Sequence, residues 1–324
     1  MKKLILFGLI FWINLSANEI YNLVDEYRKS GISNIKSALE KYLLDKNYWS
    51  NFLAKKDTKF GYFENMDFIF IASKKSQNLA LYKLENNQFI LQNQTSAIFG
   101  SNGNDKMIEG DLATPIGVYD LTQKLQNLDQ YYGPLAFVTS YPNLYDRVQK
   151  KTGYGIWIHG LPLNGERGKA TKGCIAIDNK TLLGYEGAID YKKTILITYP
   201  DEVREASKDA LATILHGLFV WRDAWINNDL ELYLSFYDES FVRFDGMKIA
   251  QFREFKKRVF AKDESKSIEF SDINIAPYPN ERVTGMYRVR FTEDYKAQGG
   301  YKFNGTKELY VTINAGKIKI LVEK

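Results

Sequence analysis

Apolar positions change their spacing three times along this chain. Between residues 19 and 56 they recur at helical intervals: in SNIKSALEKYLL, Ile35, Leu39, Tyr42 and Leu43 fall on one side, which predicts a helix entered through Ser33 or Asn34. Gly31 separates it from a shorter helix before it. From residue 66 the texture becomes short apolar runs between polar turns: FIFIA, LALY and FILQNQTSAIFG, then GVYDL, LAFVTSY, GIWIH, GCIAI and TILITY. Runs of that length, punctuated by Gly and Asn, predict a mostly β unit over roughly 60–200. After YPDEVREASKD the helical interval returns over 203–229, with Leu211, Leu215, Leu218 and Val220 on one side and Trp221 and Trp225 four apart. The stretch DLELYLSFY and a second helix around IAQFREFKKRVFA follow. The long strand-like runs IEFSDINIA, TGMYRVRFTEDY and KELYVTINAGKIKILVEK then complete an α+β unit. The expected boundaries are a leader at 1–17, a helical arm at 18–60, a mostly β domain at 61–200 and an α+β domain at 201–324.

The leader is read from MKKLILFGLIFWINLSA: Lys2 and Lys3, an apolar run from Leu4 to Leu15, then small residues at Ser16 and Ala17. That order predicts a secretory signal peptide cut after Ala17, because the apolar run is short for a membrane span of roughly 20 residues. Stable membrane insertion after cleavage is not expected. An apolar fraction of 45% supports real cores and argues against global disorder. A net charge of +5 spread along the chain does not make the concentrated basic face of a nucleic-acid-binding protein.

Export changes the meaning of the cysteine count. Cys174 is the chain's one cysteine, so it has no partner for an intrachain disulfide in an oxidising compartment. His159, one of two histidines, ends a predicted strand fifteen residues earlier, and a loop holding Gly165, Gly168 and Gly173 joins the two. A histidine in reach of a cysteine can take its proton and return it to a leaving amine. The backbone N–H groups of Gly173 and Cys174 are candidate donors to a developing oxyanion. A zinc site is not expected, since the other histidine, His216, lies in the α+β unit and reads as a packing or surface residue. Spacing alone leaves open a buried structural cysteine and an unrelated histidine.

The segments IHG and TKGCIAI resemble the signature of the YkuD-type L,D-transpeptidase family, His-Gly followed by Ser/Thr-x-Gly-Cys. GDLATPIGVYDL is similar to that family's upstream strand, with Thr114, Pro115 and Gly117 at its marker positions. The resemblance spans roughly 66–200 and implies a YkuD-like β-sandwich in which Cys174 attacks the peptide stem of peptidoglycan, His159 is the general base and the Gly160 carbonyl orients the imidazole. No metal or organic cofactor is implied. The family commonly carries an arginine two residues after the cysteine, where this chain has Ala176; Lys150, Arg167, Lys169 and Lys172 are nearby cations. Trp157, Lys150, Tyr132, Tyr141, Thr171 and Arg167 are candidate substrate contacts. FVWRDAWINNDLELYLSFYDESF resembles the opening helices of NTF2-like domains, whose pocket would hold glycan or peptide; Lys307 and Arg288 lie on the predicted strands of that unit without an assigned role.

This order of segments is similar to that of the periplasmic peptidoglycan L,D-carboxypeptidases that determine helical cell shape in epsilonproteobacteria. It implies removal of terminal D-Ala from a tetrapeptide stem, through a thioester, to leave a tripeptide. Formation of 3–3 cross-links by an L,D-transpeptidase and non-catalytic peptidoglycan binding are the alternatives, and a homodimer is left open.

Overall fold

The computed structural model describes residues 17–166 and 168–324; Met1–Ser16 of the expected leader and Arg167 lie outside the described residues. Three helices open the described chain: α1 (Ala17–Ser30), α2 (Ile32–Leu43) and α3 (Lys46–Leu53). The first is longer than the second, and α2 starts at least two residues earlier than expected, with Gly31 rather than Ser33 or Asn34 at its N-cap and no side-chain cap. The side-chain cap is at α3, where Asp45 accepts from Asn47 N at 2.8 Å. There follow β1 (Tyr62–Phe63), β2 (Phe68–Ser73), β3 (Asn78–Glu85), β4 (Gln88–Ser96), β5 (Gly117–Gln126) and β6 (Leu135–Thr139). Next come α4 (Leu144–Val148), β7 (Trp157–His159), β8 (Ile175–Ala176), α5 (Asn179–Ala188) and β9 (Thr194–Tyr199). The C-terminal part holds α6 (Lys208–Ile226), α7 (Leu230–Ser235), β10 (Tyr237–Arg243), α8 (Ile249–Phe260), β11 (Lys266–Pro277), β12 (Tyr287–Ala297), β13 (Lys302–Asn314) and β14 (Lys317–Glu323).

The described strands form two sheets. One has the order β4-β3-β2-β9-β5-β6-β7-β8 and is mixed. It turns at β5, whose residues Gly117–Asp120 pair with β9 while Leu121–Gln126 pair with β6 across a register shift. The sheet curls far enough for its ends to meet: Ile98, just beyond β4, exchanges backbone hydrogen bonds of 2.8 and 2.9 Å with Ala176 of β8. Phe70, Tyr119, Phe137 and Ile158 fill the inside of that curl. Apolar residues on both faces of the central strands explain why β2 and β9 read as continuous apolar runs rather than alternating ones.

The second sheet has the order β1-β11-β12-β13-β14-β10. Helix α6 packs against it closely enough that a Cβ at Gly217 would sit 2.8 Å from Ile318. Trp221 and Trp225 are core residues there, as their helical spacing suggested. Its edge strand β1 comes from before the first sheet, so the chain enters the C-terminal layer before it builds the other. A shared core seals the two layers: Ile71, Val118, Leu144 and Tyr199 pack in one cluster with Ala276, Tyr278, Tyr310 and Val322. No helix among the described residues is long and apolar enough to cross a membrane.

Candidate active site

β7 and β8 lie side by side in parallel, with Ile158 opposite Ile175 and His159 opposite Ala176. Side chains alternate along a strand, and laterally paired residues share a face. His159, Trp157 and Ala176 therefore belong to one face, and Cys174, one residue before the neighbouring strand, continues the alternation of Ala176. The loop between them is thus a tight crossover that returns the chain beside itself. Ile177 N–H donates to the His159 carbonyl at 3.0 Å and ties the two strand ends together.

His159 is fully buried, and its Nδ1 lies 2.7 Å from the Gly160 carbonyl. A carbonyl can only accept, so Nδ1 carries the proton and the neutral ring keeps Nε2 as its basic atom. The Tyr132 ring makes T-shaped contacts with both His159 and Trp157, with centroids 5.2 Å apart in each case. Tyr132 also accepts Gly160 N–H on its carbonyl at 2.9 Å. The Cys174 thiol is half-buried and lies 3.4 Å from the Gly155 carbonyl. Gly160 fits where it does because a Cβ there would come within 2.1 Å of Asn179 Oδ1.

The turn before Cys174 is built by Thr171. Its hydroxyl donates to the Cys174 carbonyl at 2.7 Å and accepts Gly173 N–H at 3.0 Å. Thr171 is buried and faces its own turn, which corrects its expected role as a substrate contact. Gly173 N–H, expected to meet an oxyanion, is likewise directed to that hydroxyl. Gly173 has φ of +133°, a conformation that disfavours any other residue.

The remaining candidates divide. Tyr132 and Trp157 stand at the histidine. Tyr141 does not reach the cleft: it is buried, its hydroxyl donates to the Thr152 carbonyl at 3.0 Å, and its ring packs edge-on to Tyr119. Lys150, Lys169 and Lys172 are exposed. Arg167 lies outside the described residues. The family's arginine position holds Ala176, fully buried between His159 and Ile98, so the lateral neighbour of the histidine is a methyl group.

Sequence reasoning passed over Lys151 and Asp111. Lys151 is buried and bridges Asp105 at 2.6 Å and Asp146 at 2.8 Å. Burial works against its charge, but the two carboxylates outweigh it and raise its pKa. This pins the segment that runs from α4 to Gly155. Asp111 accepts from Lys106 Nζ at 2.8 Å and from the N–H groups of Met107, Ile108 and Ala113, which fixes the facing loop. Arg288, on the predicted strands of the C-terminal unit, crosses between the layers to Asp120 of β5 at 2.7 Å and to Glu308 at 3.0 Å. Lys307 lies inside the C-terminal layer, 2.7 Å from Glu323. Burial pushes its neighbour Lys256 down to about 8. His216 is a half-buried packing residue of α6 whose pKa burial lowers. No group of three or more His, Cys, Asp or Glu among the described residues is placed to hold a metal ion.

Residues 67–197 match the YkuD family, an L,D-transpeptidase catalytic domain and so a cysteine-type peptidoglycan-modifying domain. Residues 213–324 match the Cds6 C-terminal NTF2-like domain. The crystal structure of the helical cell shape determining protein Pgp2 from Campylobacter jejuni is similar at 44% identity and a TM-score of 0.82, covering 87% of this chain and 100% of that one. A lysine-to-alanine variant of Pgp2 gives 44% and 0.83 over 87% and 99%. Bd1075 from Bdellovibrio bacteriovorus is 25% identical with a TM-score of 0.62, over 80% of this chain and 92% of its own. No curated protein matches the chain. The chain belongs to the family of the helical cell shape determining protein Pgp2, an L,D-transpeptidase-type catalytic domain followed by an NTF2-like domain.

Proposed function

We propose that this chain is a periplasmic, cysteine-dependent L,D-carboxypeptidase that removes the terminal D-Ala of peptidoglycan tetrapeptide stems and thereby contributes to cell shape. One observation carries the reading: a histidine with Nδ1 committed to a carbonyl shares a strand face with the chain's one cysteine. The likeness to Pgp2 supports the cell-shape role.

His159 Nε2 takes the thiol proton of Cys174, and the thiolate adds to the carbonyl that joins the L-centre of meso-diaminopimelate to D-Ala. The Gly160 carbonyl holds the ring and stabilises the imidazolium through Nδ1–H. The oxyanion accepts from Cys174 N–H. Collapse breaks the C–N bond, D-Ala leaves with the proton from His159, and a thioester remains. A water that loses its proton to His159 then adds to the thioester. The thiolate departs, recovers the proton, and the tripeptide is released. Tyr132 and Trp157 wall the cleft, and Lys150 is the proposed partner of the D-Ala carboxylate. Transpeptidation differs only in the acceptor, an amine in place of water, and the catalytic-domain match makes it the second reading.

Mass spectrometry of disaccharide-tetrapeptide incubated with the protein tests this. Loss of one alanine is expected, and Cys174→Ala is expected to abolish it. Dimeric 3–3 products would move the assignment to a transpeptidase. An unchanged substrate with both proteins would leave a binding protein.

A further inference from the structure

The Gly160 carbonyl orients His159 only if its own peptide cannot rotate. That peptide is trans, so the Gly160 C=O and the Leu161 N–H are the two ends of one plane and point in opposite directions. One end faces His159 Nδ1 at 2.7 Å, and the other donates to Asn179 Oδ1 at 2.8 Å. The Asn179 Nδ2 returns a hydrogen bond to the Leu161 carbonyl at 3.1 Å, so the carboxamide grips both backbone groups of one residue. Asn179 is itself anchored. It is the first residue of α5, behind Asp178, which accepts from Thr181 N at 2.8 Å and from the Thr95 hydroxyl at 3.1 Å. Glycines make room for it: a Cβ would come within 2.1 Å of Asn179 Oδ1 at Gly160 and within 2.7 Å at Gly133.

We infer that Asn179 is a positioning residue of the cysteine–histidine site, an inference that rests on the catalytic reading above. Its Oδ1 holds the Leu161 N–H and thereby fixes the carbonyl that keeps the His159 proton on Nδ1 and Nε2 basic. A hydrogen bond at one end of a peptide also polarises the other, which strengthens the carbonyl as an acceptor. Asn179 reaches the reaction only through this peptide, so its loss falls on turnover rather than on substrate affinity.

The test compares Asn179→Ala and Asn179→Asp with the wild type on two readouts. Steady-state hydrolysis of disaccharide-tetrapeptide gives kcat and KM. Long-range ¹H–¹⁵N spectra of histidine-labelled protein report the tautomer of each ring, and a His216→Gln variant separates the two histidines. Asn179→Ala is expected to lower kcat roughly 10- to 100-fold, the size of effect seen when a metal-bound histidine loses its outer hydrogen-bond partner, with KM unchanged. The His159 signals are expected to move away from the pure Nδ1–H pattern. Asn179→Asp keeps an acceptor for Leu161 N–H and is expected to restore that pattern and part of kcat; it also carries the test if the alanine variant does not fold. Wild-type kcat and spectra in Asn179→Ala would overturn the inference. So would lost turnover with unchanged His159 signals, which marks a merely structural clamp. Turnover by Cys174→Ala would instead sink the catalytic reading itself.

Discussion

Asp111 carries no chemistry of its own, yet it holds one wall of the cleft. Burial disfavours its charge, but Lys106 and three backbone N–H groups outweigh that and bring its pKa down to about 2 from an ordinary 3.8. A folded-state pKa below the unfolded one means stability that is present above about pH 4 and lost as pH falls toward 2. Acid titration of thermal stability is expected to show that loss, on the order of 2 kcal/mol, and Asp111→Asn should be less stable at neutral pH with a flatter acid limb. A parallel acid limb in the variant would contradict it. Thr171→Val leaves the buried Gly173 N–H without its acceptor, a loss of about 1–3 kcal/mol, while Thr171→Ser should keep both melting temperature and turnover. Cys174 and His159 were legible in the sequence because rare residue types fell in a specific motif. Asp111, Lys151 and Asn179 were not. They are common residues whose partners, as with Lys151 and Asp105 46 positions away, are set by tertiary approach and leave no mark on local spacing. Tyr141 was misplaced for the converse reason, since an aromatic beside a cleft and one beneath it read alike.

Among the elements, the strands of the catalytic layer were readable as apolar runs. Their order was not, because β9 inserts between β2 and β5 and the closure at Ile98 and Ala176 is a single bridge. The three N-terminal helices looked like one uniform arm but differ in what they bury. α2 has no fully buried residue, whereas α3 buries Trp49 and Leu53. The Trp49 ring stacks on Phe219 of α6 at 5.2 Å, and its Nε1 donates to the Leu43 carbonyl at 2.9 Å. Trp49→Ala is expected to cost roughly 3–5 kcal/mol. Leu39→Ala, at a site 46% exposed, should stay within about 0.5 kcal/mol. Equal losses in denaturant melts would show that the arm packs as one piece.

Over the whole molecule, the catalytic and NTF2-like layers are joined through more than a linker. Asn143 Nδ2 donates to Tyr278 Oη at 2.9 Å, and buried Arg288 bridges Asp120 and Glu308. Burial works against the Asp120 charge, but Arg288 and Arg290 outweigh it and lower its pKa. Arg288→Ala leaves half-buried Glu308 without its cation and Asp120 with Arg290 alone, and is expected to cost about 3 kcal/mol. Calorimetry of the wild type should give one cooperative transition, and two well-separated ones would contradict a shared core. The pairing of β1 with β11 then carries a consequence for how the protein is made. Tyr62 lies opposite Ile275, so the opening segment waits for more than two hundred further residues before its partner exists. A chain that emerges N-terminus first can seat Phe60 on Tyr82 and Phe89 as its catalytic layer forms, yet the backbone edge of β1 still lacks its partner. That edge closes only when β11 arrives, so a ribosome stalled after β9 has emerged and before β11 is made would present a folded sheet with an unpaired leading strand, open to a protease that the finished molecule resists.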